Sequence, residues 1–291
     1  MPFARVNGVM TSYEDRGSGL PVLFIHGGYG GAATTLAPPR EVIREVLPED
    51  RFRLVTYDRR CRGQTEYVDG DYDLEDLADD AAALLDHLGI GSAVIIGSSA
   101  GGPIALQFAL SRPERTTALA LPNTGANLMD QSREVSRQRL ALVERFRSEG
   151  ARAVFESRKH RLREAPAAEA QAGEPGTEER RAALQAALEA LSDEELFRYS
   201  SGEIRNFAAY VGFDFAPRLA ELKMPVCVIH GTADQTVPFA WGKALHEGIP
   251  GSEFHAIEGG RHGILGHPEA AAALRSWAER IAAEVPARSA P

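Results

Sequence analysis

Three residue types that together turn a weak hydroxyl into a nucleophile stand at glycine-rich turns far apart in the chain. They are Ser99 in "GSSAG", Asp234 in "GTAD" and His262 in "GGRHG". A serine hydroxyl attacks poorly at neutral pH and needs a general base; an imidazole in that role needs a carboxylate to fix its tautomer and orientation. Histidine suits the base because its ordinary pKa lies near neutrality. Two serines sit side by side, and sterics choose between them. A sharp strand-to-helix elbow admits only small residues two positions before and after the nucleophile. Ser99 is flanked by Gly97 and Gly101, whereas Ser98 would be flanked by Ile96 and Ala100. Ser99 is the candidate nucleophile and Ser98 a small neighbour.

The chain has eight histidines. His87, His160 and His246 fall in helical periodicity and His255 within a strand, where packing or surface roles suffice. His262 follows the strand "EFHAIE" in a loop, at the edge of a sheet where ligands sit. His267 is its rival, but Pro268 follows and marks a helix start. Asp234 closes the turn after "CVIHG"; taken alone it reads equally well as a turn-forming residue. A tetrahedral intermediate also needs donors for its oxyanion. The backbone N–H of Ala100 is one, and the loop "HGGYGG" after an earlier strand offers the N–H of Gly28. That loop lacks the Gly-Lys-Ser/Thr ending of a phosphate-binding loop and the spacing of a dinucleotide fingerprint.

Something must bring these turns to one place. "LPVLFIHGG", "RFRLVTYD", "VIIG", "TTALALPN", "MPVCVIHG" and "SEFHAIE" read as strands, most of them short apolar runs ending in turn residues. Between Asp73 and Gly89, Leu74, Leu77, Ala81, Leu84, Leu85 and Leu88 share one helical face. Asn7-Gly8 predicts a hairpin joining two early strands. Strands alternating with helices imply an α/β fold with a parallel sheet covered on both faces. From Ala126 to about Asp214 no strand pattern occurs and Ala, Arg and Glu dominate. The chain thus divides into a core, 1–125 and 215–291, and a helical cap insertion, 126–214. Within the insertion "REAPAAEAQAGEPGTEE" (Arg163–Glu179) predicts a mobile loop, and the tail "VPARSAP" a frayed end.

Composition narrows the classes. The 291 residues carry a net charge of −9, against the clustered basic excess that nucleic acid or an anionic membrane surface requires. Two cysteines, Cys61 and Cys227, make no disulfide framework, and no apolar stretch approaches the length of a membrane span. The expectation is a soluble cytoplasmic protein acting on a small molecule, with its oligomeric state open.

Together "HGG" at His26–Gly28, "GSSAG", "GTAD", "GGRHG" and the "HPE" at His267–Glu269 resemble the α/β-hydrolase superfamily, in its branch of cap-bearing serine esterases, lactonases and C–C bond hydrolases. The order Ser, Asp, His along the chain is similar to that of this fold. The resemblance implies an eight-stranded, mostly parallel sheet, no cofactor, and a pocket between core and cap. It also implies a serine hydrolase cleaving a carboxylic ester or lactone that has a hydrophobic part. The same triad would serve a C–C bond hydrolase or a perhydrolase, and the scaffold without turnover a ligand receptor. Serine at the elbow argues against the epoxide hydrolases and haloalkane dehalogenases, which use aspartate there. The loop "YDRRCRGQT" departs from the family pattern D-x-R-G-x-G-x-S, with Cys61 at its first glycine and Thr65 at its serine. No basic partner for Cys61 is evident, and nothing assigns Arg59, Arg60 or Arg62 to a substrate carboxylate. Aromatics cluster late in the insertion: Phe197, Tyr199, Phe207, Tyr210, Phe213 and Phe215. Either they anchor the cap or some line the pocket; Tyr29, Phe207 and Tyr210 are the candidate substrate contacts. The basic residues between Arg133 and Arg163 alternate with glutamates and read as a solvated helical face.

Overall fold

A computed structural model describes residues 1–32, 36, 42–164 and 177–284. The tail expected to fray, and residues 165–176 of the expected mobile loop, lie outside these. Eight strands form one sheet in the order β1-β2-β4-β3-β5-β6-β7-β8. β1 (Phe3–Val6) and β2 (Val9–Arg16) pair antiparallel, and β2 pairs antiparallel with β4 (Phe52–Tyr57). Asn7 and Gly8, both at positive φ, make the tight turn between the first two. From β4 onward every pairing is parallel, through β3 (Leu20–Ile25), β5 (Ala93–Gly97), β6 (Thr116–Pro122), β7 (Val226–Gly231) and β8 (Glu253–Ile257). The eight-stranded, mostly parallel α/β architecture expected from the sequence is the one found.

Alternation along the buried strands sorts side chains onto two faces. Leu23, Ile25, Val55 and Ile95 pack with α2 (Leu74–His87) and α3 (Gly101–Ser111). Val22, Phe24, Leu54, Val94 and Ile96 face α1 (Val42–Val46) and the last helix, α9 (Pro268–Glu284). The face read on 73–89 is the one α2 buries, and Asp73 caps its start by accepting from the amides of Glu75 and Asp76. Among the described residues four α-helices lie between β6 and β7: α4 (Glu134–Glu149), α5 (Ala151–Leu162), α6 (Thr177–Ala190) and α7 (Asp193–Ala209). α4 and α5 bury few residues, Ser136 and Val143 on the one and Val154 and Phe155 on the other, whereas α7 buries a full face that includes Leu196, Ile204 and Phe207. α8 (Phe239–Gly248) follows β7. Among the described residues no helix is long and apolar enough to cross a membrane.

One close approach decides whether the β5–α3 turn can form. A methyl group on Gly101 would stand 2.0 Å from the carbonyl oxygen of Ile25, and one on Gly97 2.5 Å from Ala105 Cβ. The first obstacle is backbone and cannot swing away. Gly101→Ala is therefore expected to destabilise the fold by about 3 kcal/mol, the scale of a severely overpacked core position. Urea unfolding would check this, and an unchanged midpoint would mean that the elbow is looser than drawn.

Candidate active site

Parallel strands end at the same edge, and five neighbours in the sheet, β3, β5, β6, β7 and β8, deliver the chemical groups there. β3 runs into His26–Gly28, β5 into Ser99, β6 into Asn123, β7 into the turn of Asp234, and β8 into the loop of His262. Ser99 sits in the elbow at φ 50°, a left-handed conformation that a non-glycine residue adopts only when held. The neighbours hold it: the Ser98 amide donates to Ile25 O at 3.0 Å and the Ser99 amide to Pro122 O at 3.1 Å.

The three turns that the sequence singles out converge. Ser99 Oγ lies 3.0 Å from His262 Nε2, and His262 Nδ1 lies 2.8 Å from Asp234 Oδ2. The other carboxylate oxygen, Oδ1, accepts from the amides of Thr236 and Val237, both at 2.9 Å. His230, fully buried, places Nε2 3.5 Å from Asp234 Oδ2. Burial pushes the Asp234 carboxyl upward, but the hydrogen bonds of His230 and His262, the His262 charge and the Val237 amide outweigh it and hold the carboxyl well below the usual range. His267, the rival base, stands at the start of α9, where its carbonyl accepts from Ala271. Ser98 donates its hydroxyl to Asn123 Oδ1 at 3.1 Å.

The amides of Gly28 and Ala100 can be placed through the peptide units to which they belong. Among the described residues all peptide bonds are trans, so an N–H points opposite to the carbonyl before it. The Gly27 carbonyl accepts from Arg62 Nη1 at 2.8 Å, and the Ser99 carbonyl accepts from Thr124 Oγ1 at 2.7 Å and from the Gly102 amide at 2.9 Å. Both carbonyls are held from behind, which turns the two amides the other way. The loops touch at this point, since a methyl group on Gly27 would stand 3.6 Å from Ser99 Oγ. One further link joins them. Arg59 donates to the Gly28 carbonyl and, at 2.7 Å, to the Tyr210 hydroxyl, which in turn donates to the Ala100 carbonyl.

The three arginines of "YDRRCRGQT" thus point inward. Arg60 makes a two-pronged pair with Asp80, both contacts at 2.6 Å. Thr65 takes up the turn by donating to Asp58 O at 2.6 Å. Cys61 adopts φ 56°, the conformation for which a glycine is usually kept, and its thiol donates to Val68 O. Burial pushes that thiol up, so it carries no thiolate character at neutral pH.

Tyr29, Phe207 and Tyr210 come together as an aromatic group beside Gly28. The Tyr29 ring centroid is 4.9 Å from that of Phe207 and 5.0 Å from that of Tyr210. Burial raises both tyrosine hydroxyls, which stay protonated. The basic face expected to be solvated is only partly so: Arg139, Arg145, Arg158 and Arg161 line a cleft. Asn123 and Thr124 carry no sequence signal of their own; their position directly after a strand, at the ligand-bearing edge, is the only pointer to them. Asn123 Nδ2 stands 3.3 Å from His262 Nδ1. Among the described residues no group of three His, Cys, Asp or Glu side chains is arranged to hold a metal ion.

A family model described as the alpha/beta hydrolase fold matches residues 21–267. The putative carbamate hydrolase RutD of Serratia proteamaculans is 27% identical over 252 residues, spanning 84% of this chain and 85% of its own. A thermophilic esterase from Thermogutta terrifontis superposes with a TM-score of 0.71 at 26% identity, covering 97% of this chain and 99% of its own. The enol-lactonase of Burkholderia xenovorans LB400 superposes at 0.68 with 23% identity over 97% of this chain and 100% of its own, a likeness of fold. The family match runs from the first parallel strand to the threshold of α9 and takes in every turn that carries a candidate group, and the chain belongs to the α/β-hydrolase family.

Proposed function

We propose that the chain is a serine hydrolase that cleaves carboxylic esters or lactones through an acyl-enzyme, using only its side chains, backbone amides and water. The observation that carries this reading is the unbroken line from Ser99 Oγ through His262 to Asp234, with contacts of 3.0 and 2.8 Å. Ser99 Oγ attacks the carbonyl carbon as its proton passes to His262 Nε2, and the carbonyl electron pair moves onto oxygen. The amides of Gly28 and Ala100 receive that oxyanion, and Asp234 stabilises the imidazolium. Collapse breaks the ester bond, and His262 returns its proton to the leaving alcohol. Water then gives a proton to His262 and attacks the acyl carbon; collapse releases the acid and restores Ser99.

In this reading residues 126–214 act as a cap over the core of 1–125 and 215–291. Tyr29 and Phe207 form the apolar wall of the pocket. Tyr210 contributes its ring, since its hydroxyl is committed to Ala100 O. A carbamate carbonyl can enter the same line of groups, its amine leaving with the proton of His262, and the name carried by the curated relatives gives this second reading its weight. A panel of short p-nitrophenyl esters, lactones, an aryl carbamate and a β-diketone, run beside labelling with a fluorophosphonate, tests the proposal. Expected are stoichiometric labelling at Ser99 and faster turnover of the esters or lactones than of the others. Folded protein that takes no label would point instead to a ligand receptor on this scaffold.

A further inference from the structure

Helices α4, α5 and α7 form a cleft of about 450 Å³ whose lining includes four guanidinium groups. Arg139 and Arg145 come from α4, Arg158 and Arg161 from α5, and Glu203 and Phe207 from α7. Arg145 is matched by Glu149, with two contacts at 2.7 and 2.9 Å. The others are not matched in this way. Arg139 lies over ring faces, its guanidinium carbon 4.7 Å from the Tyr29 centroid and 5.2 Å from that of Phe207. Arg158 buries Nε and Nη1 with no hydrogen-bond acceptor for either. Buried guanidinium donors ordinarily find a partner, because leaving one unmade costs its full desolvation. Arg158 also feels the like charges of Arg161 and Arg145, with Glu203 opposing them. Among the described residues, four guanidiniums therefore face two carboxylates, Glu149 and Glu203, in a concave site where a cationic field is concentrated.

We propose that this cleft binds a small organic carboxylate, the end group of an ester or lactone substrate whose reacting carbonyl sits at Ser99. The assignment to substrate rests on the serine-hydrolase reading; the assignment to a carboxylate does not. Arg158, Arg161 and Arg139 supply positive charge and N–H donors to the carboxylate. The connection to the chemistry is short. Arg139 and Phe207 back onto Tyr29, and Tyr29 directly follows Gly28. A distal carboxylate held here leaves the apolar middle of a substrate against the Tyr29 and Phe207 rings.

Two measurements test this. The first is calorimetric titration of succinate into the full chain carrying Ser99→Ala, at low and high salt. Succinate is expected to bind, more weakly as salt rises, and Arg158→Gln or Arg139→Gln is expected to weaken it about tenfold or more, the scale of one charge-assisted hydrogen bond or ion pair in a shielded site. The two substitutions lie on different helices, so a folding failure in one leaves the other to report, and Arg158→Lys should restore part of the affinity. The second is the ratio of kcat/KM for p-nitrophenyl hydrogen succinate to that for p-nitrophenyl butyrate. That ratio is expected to fall about tenfold or more in Arg158→Gln. Competition by succinate against the neutral ester assigns the site to the substrate's own carboxylate; binding without competition assigns it to a separate carboxylate ligand and overturns the substrate part. No succinate binding, or binding indifferent to both substitutions, overturns the site. An inert protein that still binds succinate would sink the hydrolase reading alone, and an active esterase that ignores succinate would sink the cleft alone.

Discussion

Ser99→Ala is expected to lower kcat on p-nitrophenyl butyrate by about 10⁶-fold, the scale seen when the nucleophile of a serine triad is removed. Its oxygen is the only atom lost, and it lies 3.0 Å from His262 Nε2 in a half-buried elbow, so stability should hardly move. KM should stay within a fewfold, because the surrounding walls are untouched. Ser98→Ala is the matched control. The Ser98 hydroxyl is turned to Asn123 Oδ1, and removing it should leave most of the activity. Steady-state kinetics with fluorophosphonate labelling of both variants decides the matter. If Ser98→Ala abolished turnover and Ser99→Ala did not, the nucleophile would be misassigned by one residue.

Asp234→Asn is expected to cost about 10⁴-fold in kcat at neutral pH, as loss of the orienting carboxylate does in comparable triads. The substitution keeps size and shape but cannot satisfy both sides of the site. Asp234 accepts everywhere: from His262 Nδ1, from the amides of Thr236 and Val237, and beside His230. An asparagine must aim its NH₂ at one of these donors. If it faces His262, the imidazole proton is driven to Nε2, where it opposes Ser99 and no longer leaves a base. The same carboxylate sets an acid limit on the fold. Its folded pKa lies below its value in the unfolded chain, so the ionised form stabilises the fold fully above about pH 4. That contribution is lost as pH falls through the folded value. The stability difference between the native protein and Asp234→Asn, measured by urea unfolding, should therefore shrink from pH 7 toward pH 3. A difference constant across that window would show that Asp234 is no better stabilised in the fold than in the open chain.

What was legible in the sequence is what local rules control. Short apolar runs ending in turn residues mark the strands, and the glycines of the elbow mark the serine, because a methyl group at Gly101 meets the backbone of Ile25. The groups behind the Gly28 and Ala100 amides carry no such mark. Arg59 meets Tyr210 across 151 positions, and Thr124 reaches Ser99 across 25; nothing next to either residue announces the contact. Arg59 and Arg62 also sat in a run of arginines whose direction only the packing of β4 against the next strand end decides. The sequence leaves the cleft arginines on a solvated face for a related reason. Interleaving with glutamates describes a helix by itself, and only the approach of α4, α5 and α7 turns Arg139 and Arg158 inward. Cys61 at a positive φ shows that a side chain can occupy a place where glycine is the usual choice when buried neighbours hold the turn.

The Tyr210 hydroxyl belongs to the end of α7, while the oxygen it grips belongs to the residue after the nucleophile and the guanidinium that braces it belongs to the core. That tether fixes the end of α7 to the core: drawing α7 away would unlatch the anchor of Ala100 and loosen Gly28 through Arg59 in the same motion.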